Sequence, residues 1–282
     1  LTGKAKLAGI IGWPVSHSLS PVLHGHWLKE HNIDGAMVPL AAGREDFAVV
    51  IDGARRAGFR GVNVTVPHKE AAFAIAHSVD VAAQAAGAAN LLLFQDGKIE
   101  GRNTDALGLA ESLRENIGTL NGKSVVLLGA GGAARGAILA LEMLGASAIH
   151  LLNRDTHRAQ TLATSLAPQV KAPVHPGSLG DWSKVASDAA LVVNSTSAGM
   201  GANSPLDIDL GALPESAAVC DIVYNPLETQ LLKDAAARGH KVIDGLGMLM
   251  HQAAPSFEAL FGIRPKVTQD LRDTLVKILS AR

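Results

Sequence analysis

Apolar positions recur along this chain with two different periods, and their alternation sets out its elements. Residues 124–128, Ser-Val-Val-Leu-Leu, are apolar almost throughout, the habit of a strand buried on both faces of a parallel sheet. Residues 61–67, Gly-Val-Asn-Val-Thr-Val-Pro, alternate instead. They predict a strand with Val62, Val64 and Val66 on its buried side and Asn63 and Thr65 on the other. A first strand is expected over 7–13, followed by a polar loop. Ser20 is placed to cap a helix that opens on Pro21 and fades near His31. A second strand over 36–41 precedes an amphipathic helix over 44–57, closed by Gly58. Pro67, with no N–H to donate, ends the 61–67 strand before a helix over 69–76. A short helix over 80–86 and a hairpin turning at Asp96-Gly97 follow. Asp105 then caps a helix reaching Glu115.

The second half alternates regularly. Strands are expected at 124–129, 148–154, 191–196, 219–223 and 241–244, with helices between them, which is the pattern of a doubly wound sheet. Two helices near 248–261 and 268–279, broken at Gly262-Ile-Arg-Pro265, come after the last strand and are expected to fold back onto the N-terminal region.

Composition narrows the function classes. The 282 residues suffice for two domains, and 25 basic against 26 acidic side chains leave no electrostatic footprint for nucleic acid or a membrane surface. No uncharged apolar run approaches the ~20 residues of a membrane span. The N-terminus lacks the basic-then-apolar pattern of a signal peptide. Cys220 is the single cysteine, so an intrachain disulfide is excluded and a reducing, cytoplasmic setting is expected.

After the 124–128 strand come Gly129-Ala-Gly-Gly-Ala-Ala134 and a helical pattern running to Leu144. Strand, glycine turn and helix together give G-x-G-x-x-A its meaning as a dinucleotide site. Gly129 permits the turn, Gly131 admits a pyrophosphate, and Ala134 keeps the helix close to its sheet. First-turn N–H groups of Gly131, Gly132 and Ala133, with Ala130 beside them, face the phosphates. The fold class is therefore α/β with two domains. An α/β substrate-binding domain, 1–105 plus 246–282, is discontinuous; a Rossmann dinucleotide-binding domain covers 106–245, with a cleft between the two.

Cofactor choice turns on Asn153-Arg-Asp-Thr-His-Arg158 at the end of the second strand of that domain. An arginine accommodates a 2′-phosphate, whereas a carboxylate binds a free 2′-hydroxyl. Arg154 and Arg158, four apart, are placed to clamp one phosphate from a helix face, and Asp155 reads as that helix's N-cap. NADP is favoured over NAD.

Three polar groupings could carry chemistry. Asn63 and Thr65 aim an amide and a hydroxyl from one strand face, although a half-exposed edge strand would look the same. Ser18 and Ser20 stand ahead of a helix N-terminus, a seat for a carboxylate or hydroxyls, though a plain cap by Ser20 explains the pattern equally. Asp105 is either a cap or the partner of Lys69, whose ammonium could stabilise and protonate an oxygen gaining charge on hydride transfer.

Taken in order, His17-Ser-x-Ser-Pro21, Asn63-Val-Thr-Val-Pro-x-Lys69, Gly101-x-Asn-Thr-Asp105 and Gly129-Ala-Gly-Gly-Ala133 resemble the shikimate dehydrogenase family over nearly the whole chain. The resemblance implies NADP-dependent, reversible reduction of 3-dehydroshikimate to shikimate, a step of aromatic amino acid biosynthesis. It implies Lys69 and Asp105 as the catalytic pair, and Ser18, Ser20, Asn63, Thr65, Asn90, Tyr224 and Gln252 as shikimate ligands. Beyond the glycine turn, Asn153, Arg154, Arg158, Thr196, Ile222, Gly245 and Met248 would line the cofactor, although Met248 serves equally as core filler. A homodimer rests on family analogy alone. One departure stands out: Ala89-Asn90-Leu91 lacks the hydroxyl that usually follows the asparagine, which could loosen Asn90. His68 is read as structural.

Two other signals fail. Gly122-Lys-Ser124 has the look of a phosphate loop but lacks the required upstream glycine and leads into a strand. His24-Gly-His26 has metal-like spacing, but helical residues two apart diverge, so packed or solvated histidines are expected and no metal. The rival readings are an enzyme of the same fold that takes quinate or prefers NAD, and a non-catalytic NADP-sensing regulator. The second predicts loss of the substrate-side polar groups, which are all present.

Overall fold

A computed structural model describes residues 1–281. The chain forms two compact units, one of residues Leu1–Thr104 with Gln252–Ile278, the other beginning at Asp105 and running to His251, with the final residues from Leu279.

In the first unit β1 (Lys6–Gly12) lies between β2 (Gly35–Ala41) and β3 (Gly61–Val64), parallel to both. The edge strand β4 (Ser78–Val79), absent from the sequence reading, pairs in parallel with β6 (Lys98–Arg102). Between β3 and β6 runs β5 (Leu91–Gln95), antiparallel to each, and the order is β2-β1-β3-β5-β6-β4. The β5–β6 hairpin turns at Asp96 and Gly97, whose φ values of 49° and 74° are those of the two-residue turn that matches strand twist.

The helices are α1 (Ser20–Glu30), α2 (Phe47–Arg56), α3 (Lys69–Ile75) and α4 (Val81–Ala86). Asp80 caps α4 by accepting from the Ala83 N–H, and Gly87 closes it at φ 60°. Two expectations are corrected. Ser20 does not cap α1: it is the first helical residue, and Ser18 Oγ accepts from its N–H at 3.2 Å. The 61–67 strand also ends early, at Val64, because the chain turns ahead of Pro67, the His68 N–H donating to the Thr65 carbonyl at 3.0 Å. Val62 and Val64 are buried as expected, but Val66 is 69% exposed.

The second unit opens with α5 (Asp105–Ile117), so Asp105 begins the helix instead of preceding it as a cap. Then come β7 (Ser124–Leu128), α6 (Gly132–Met143), β8 (Ala148–Asn153), α7 (Thr156–Leu166) and β9 (Val174–Ser178). The short α8 (Trp182–Val185), β10 (Ala189–Asn194), β11 (Ala218–Asp221), α9 (Gln230–Ala237) and β12 (Lys241–Ile243) complete it. All six strands are parallel in the order β12-β11-β10-β7-β8-β9, reversing direction of growth between β7 and β10. That reversal marks the crevice where such sheets bind ligands.

Val125, Val126, Leu127 and Leu128 are wholly buried, each contributing about 1.5–3 kcal/mol through burial. Val125 and Leu127 pack with α5, α6 and α7 on one face, Val126 and Leu128 with α8 and α9 on the other. The Cys220 thiol of β11 lies inside this sheet, 1% exposed. The sequence reading missed β9 because Pro176 and Gly177 interrupt its pattern; an edge strand tolerates both.

The unit boundary falls inside α10 (Gly245–Phe261), after His251, six residues beyond the expected crossing. With α11 (Gln269–Ser280) as far as Ile278, its C-terminal part belongs to the first unit, where Phe257 meets Trp27 edge-on at 5.4 Å and Trp27 Nε1 donates to the Lys266 carbonyl at 3.1 Å. No helix among the described residues is long and apolar enough to cross a membrane.

Candidate active site

The polar groups of the first unit arise where its central strands end. Ser18, half-buried, and Ser20, 6% exposed, follow β1. Because Ser18 Oγ uses a lone pair on the Ser20 N–H, its own hydrogen is left to donate elsewhere. On β3, Asn63 is 3% exposed and therefore not on a solvent-washed strand face; its Nδ2 lies 3.5 Å from His24 Nε2, and its Oδ1 has no partner. An orphan acceptor this deep costs about 1–3 kcal/mol unless something fills it. Thr65 is half-buried just past the strand. Gly12 is needed opposite it, since a Cβ there would meet Thr65 Cγ2 at 2.4 Å.

Lys69 opens α3, half-buried, and its carbonyl accepts from the Ala89 N–H at 2.9 Å. That bond ties the lysine's turn to the strand start carrying Asn90. Asn90 is 3% exposed and doubly fixed: its Nδ2 donates to Thr104 Oγ1 at 2.9 Å, and its Oδ1 accepts from the Thr104 N–H at 2.9 Å. Gln252 Oε1 stands 3.4 Å from both Asn90 Nδ2 and Thr104 Oγ1. Asn90 is thus not loosened by the leucine at 91; Thr104, fourteen residues away in sequence, supplies the hydroxyl. Its neighbour Asn103 donates to the Ala88 carbonyl at 2.9 Å. His68 is a packing residue, 1% exposed, stacked on Phe47 at 4.6 Å with Nε2 at 2.8 Å from the Ala42 carbonyl.

In the second unit, Asp105 is 9% exposed, and a Cβ at Gly136 would meet its own Cβ at 3.3 Å, so that glycine lets α6 lie against α5. Gly129 has φ 103°, and a side chain there would press on Thr196 Cγ2 at 2.7 Å. Gly131 and Gly132 have open space where a Cβ would stand, and no side chain caps α6. First-turn N–H groups, helix dipole and vacant volume together fit a phosphate. Ala130 is half-buried in the turn and Ala133 follows in the first turn of the helix.

At the end of β8, Asn153 Nδ2 donates to the Asp155 carbonyl at 2.8 Å. The Asp155 carboxylate accepts from the His157 and Arg158 N–H groups at 3.0 and 3.2 Å. Its charge is engaged by the helix it caps. Arg154 and Arg158 are both exposed, but Arg154 precedes the cap, so the two do not share a helix face as their spacing suggests.

Sequence reasoning missed a buried network joining the loops after β10 and β11. Asp221, fully buried, accepts from Asn194 Nδ2 at 2.9 Å, Thr229 Oγ1 at 2.7 Å and the Val223 N–H at 3.0 Å. Burial pushes its carboxyl pKa up, against the pull of those donors. Asn194 Oδ1 in turn accepts from Thr196 Oγ1 and N–H at 2.7 and 3.0 Å. A lone acid ending the apolar run Ala-Val-Cys-Asp221 was the available signal, since a buried carboxylate demands donors. Tyr224 is half-buried in the loop after β11. Gly245 is required where it stands, a Cβ there falling 2.2 Å from the Ile222 carbonyl oxygen. Met248 packs, with Ile222, on the apolar cluster that covers the α5, α6 and α7 face of the sheet.

Comparison with known proteins agrees with this arrangement. Residues 10–92 match the family model of the shikimate dehydrogenase substrate binding domain, and residues 110–201 that of shikimate / quinate 5-dehydrogenase. A shikimate dehydrogenase (NADP(+)) from Paramagnetospirillum magneticum is 49% identical over 278 residues, covering 96% of this chain and 98% of its own. A crystal structure of a shikimate dehydrogenase in complex with NADP+ superposes with a TM-score of 0.90 at 33% identity, over 99% of this chain and 97% of that one. The shikimate 5-dehydrogenase of Thermus thermophilus, solved with NADP(H) and shikimate, gives 0.84 at 36% identity over 97% and 99%. With both halves matched by their own family models and near-half identity over almost the full length, this chain belongs to the shikimate dehydrogenase family.

Proposed function

We propose that this protein catalyses the reversible, NADP-dependent reduction of 3-dehydroshikimate to shikimate. The observation that carries the reading is the cluster of buried Asn90 and Thr104 with half-buried Gln252, tied through Ala89 to the turn bearing Lys69, in a chain of this family. A polyol needs such fixed donors and acceptors, and a protein that only sensed the dinucleotide would have no use for them.

NADP supplies the hydride-transfer chemistry when bound. The Gly129–Ala133 turn would hold its pyrophosphate, Arg154 and Arg158 its 2′-phosphate, and Thr196, Ile222, Gly245 and Met248 the remaining length. In this reading Lys69 donates a proton to the substrate oxygen that gains charge, and Asp105 keeps the ammonium oriented. Ser18, Ser20, Asn63, Thr65, Asn90, Tyr224 and Gln252 bind the substrate, Tyr224 at its carboxylate. Residues 106–245 would serve the cofactor and 1–105 with 246–282 the substrate. A homodimer in the cytoplasm completes the proposal.

Steady-state rates with NADP and NAD, each against shikimate and quinate, test it directly. Efficient NADP reduction by shikimate is expected. A preference for quinate or for NAD would give a different specificity to the same fold. Tight NADP binding with no turnover on either polyol would make the chain a sensor.

A further inference from the structure

His24 and Asn63 form a buried polar pair. His24 is fully buried on α1, its ring set among Trp27, Phe257 and Phe261 at centroid distances of 6.0, 5.8 and 6.3 Å. Burial in that aromatic box lowers its pKa to about 3, so the imidazole is neutral at neutral pH. A neutral imidazole has one N–H and one bare nitrogen. The polar neighbour of Nε2 is Asn63 Nδ2, at 3.5 Å; Nδ1 has none, and neither has Asn63 Oδ1. An apolar residue would fill the same box without burying an orphan nitrogen, which is costly. The histidine's distinguishing contribution is therefore the lone pair it shows to Asn63.

We propose that His24 is a positioning residue for Asn63: its bare Nε2 accepts from the Asn63 amide N–H and thereby fixes Oδ1 as an acceptor for a hydroxyl of the substrate. Without that contact the amide can rotate and present N–H groups where the hydroxyl needs an oxygen. Asn63 Oδ1 is unpartnered because its partner is the ligand. The inference rests on the shikimate reading given above.

The test is a pair of substitutions with a cycle. His24→Phe keeps an aromatic ring in the box and removes the acceptor, while His24→Gln keeps an acceptor. His24→Phe is expected to raise the KM for shikimate about tenfold, with the KM for NADP little changed and the melting temperature no lower. His24→Gln should recover part of the loss. In an Asn63→Ala background the His24→Phe change should have no further effect on the shikimate KM. The proposal is overturned if His24→Phe shifts that KM by less than twofold, if the shift persists undiminished beside Asn63→Ala, or if the KM values for both substrates rise together. Should His24→Phe fail to fold, His24→Gln against Asn63→Ala decides in the same way: an additive shift overturns it. If the unsubstituted protein does not oxidise shikimate at all, the functional reading fails first, and that outcome is distinct from any of these.

Discussion

Asn90 and Thr104 hold each other by two reciprocal hydrogen bonds, side chain to side chain and backbone to side chain, both at 2.9 Å. This pairing replaces the hydroxyl that position 91 lacks. Thr104→Val, which keeps the shape and loses the Oγ1 acceptor, should raise the KM for shikimate roughly tenfold, the worth of about one hydrogen bond. The KM for NADP should not move. A change confined to the cofactor, or none, would show that Asn90 is held by other means.

Lys69→Ala should lower turnover by roughly 10²–10⁴-fold, the usual contribution of a positioned general acid, with NADP affinity nearly intact. Isothermal titration with NADP alongside steady-state rates separates the two. Near-normal turnover would remove Lys69 from the chemistry.

The glycine turn yields a contrasting pair. Gly129→Ala meets Thr196 at 2.7 Å and demands φ 103°, so it should lower the melting temperature even without ligand. Gly131→Ala has φ −97° and open space, so the free protein should melt normally. If the turn holds the phosphate, the added methyl takes its volume, and the KM for NADP should climb by tenfold or more. Equal behaviour of the two variants would mean that the turn is not a phosphate seat.

Arg158→Ser should weaken NADP binding by tenfold or more while leaving NAD binding unchanged, the outcome expected of a guanidinium that serves only the 2′-phosphate. Asp155→Asn, which keeps a cap, should not improve NADP binding, because that carboxylate is already turned onto two backbone N–H groups. Fluorescence titration of both cofactors against both variants reads this out.

His24 gives a pH signature. Its folded pKa of about 3 lies below the 6.5 of an unfolded imidazole, so the unfolded chain binds the extra proton first. The stability this confers is complete above pH 6.5 and drains away as pH falls from 6.5 towards 3. The loss is at most about 1.4 kcal/mol per pH unit. His24→Phe lacks this term, so the difference between the denaturation midpoints of the two proteins should be constant above pH 7 and grow in the variant's favour below pH 6. Parallel curves across that range would mean that His24 is not buried neutral.

What the sequence made legible was local and periodic. The unbroken apolar run of β7, the glycine turn behind it and the Asp96-Gly97 hairpin each declare themselves within a dozen residues. What escaped depends on contacts across the fold. Val66 obeys the alternation of β3 but lies past its end, where a turn before Pro67 overrides the period. The Asn90–Thr104 clasp joins residues on separate strand ends, and neither β9 nor the Asp221 network has a repeating pattern to announce it. Arg154 and Arg158 are four apart in number, but only one is helical, because Asp155 sets the helix start between them.

The deep placement of Cys220 has a practical consequence. Burial, together with Asp221 and Asp244 nearby, drives its thiol pKa well above the ordinary range, so almost no thiolate forms at neutral pH. Maleimides and iodoacetamides should pass the native protein by. A cysteine engineered onto an exposed helix position would then be its sole labelling handle, opening the molecule to site-specific dyes and spin probes without first stripping out the natural one.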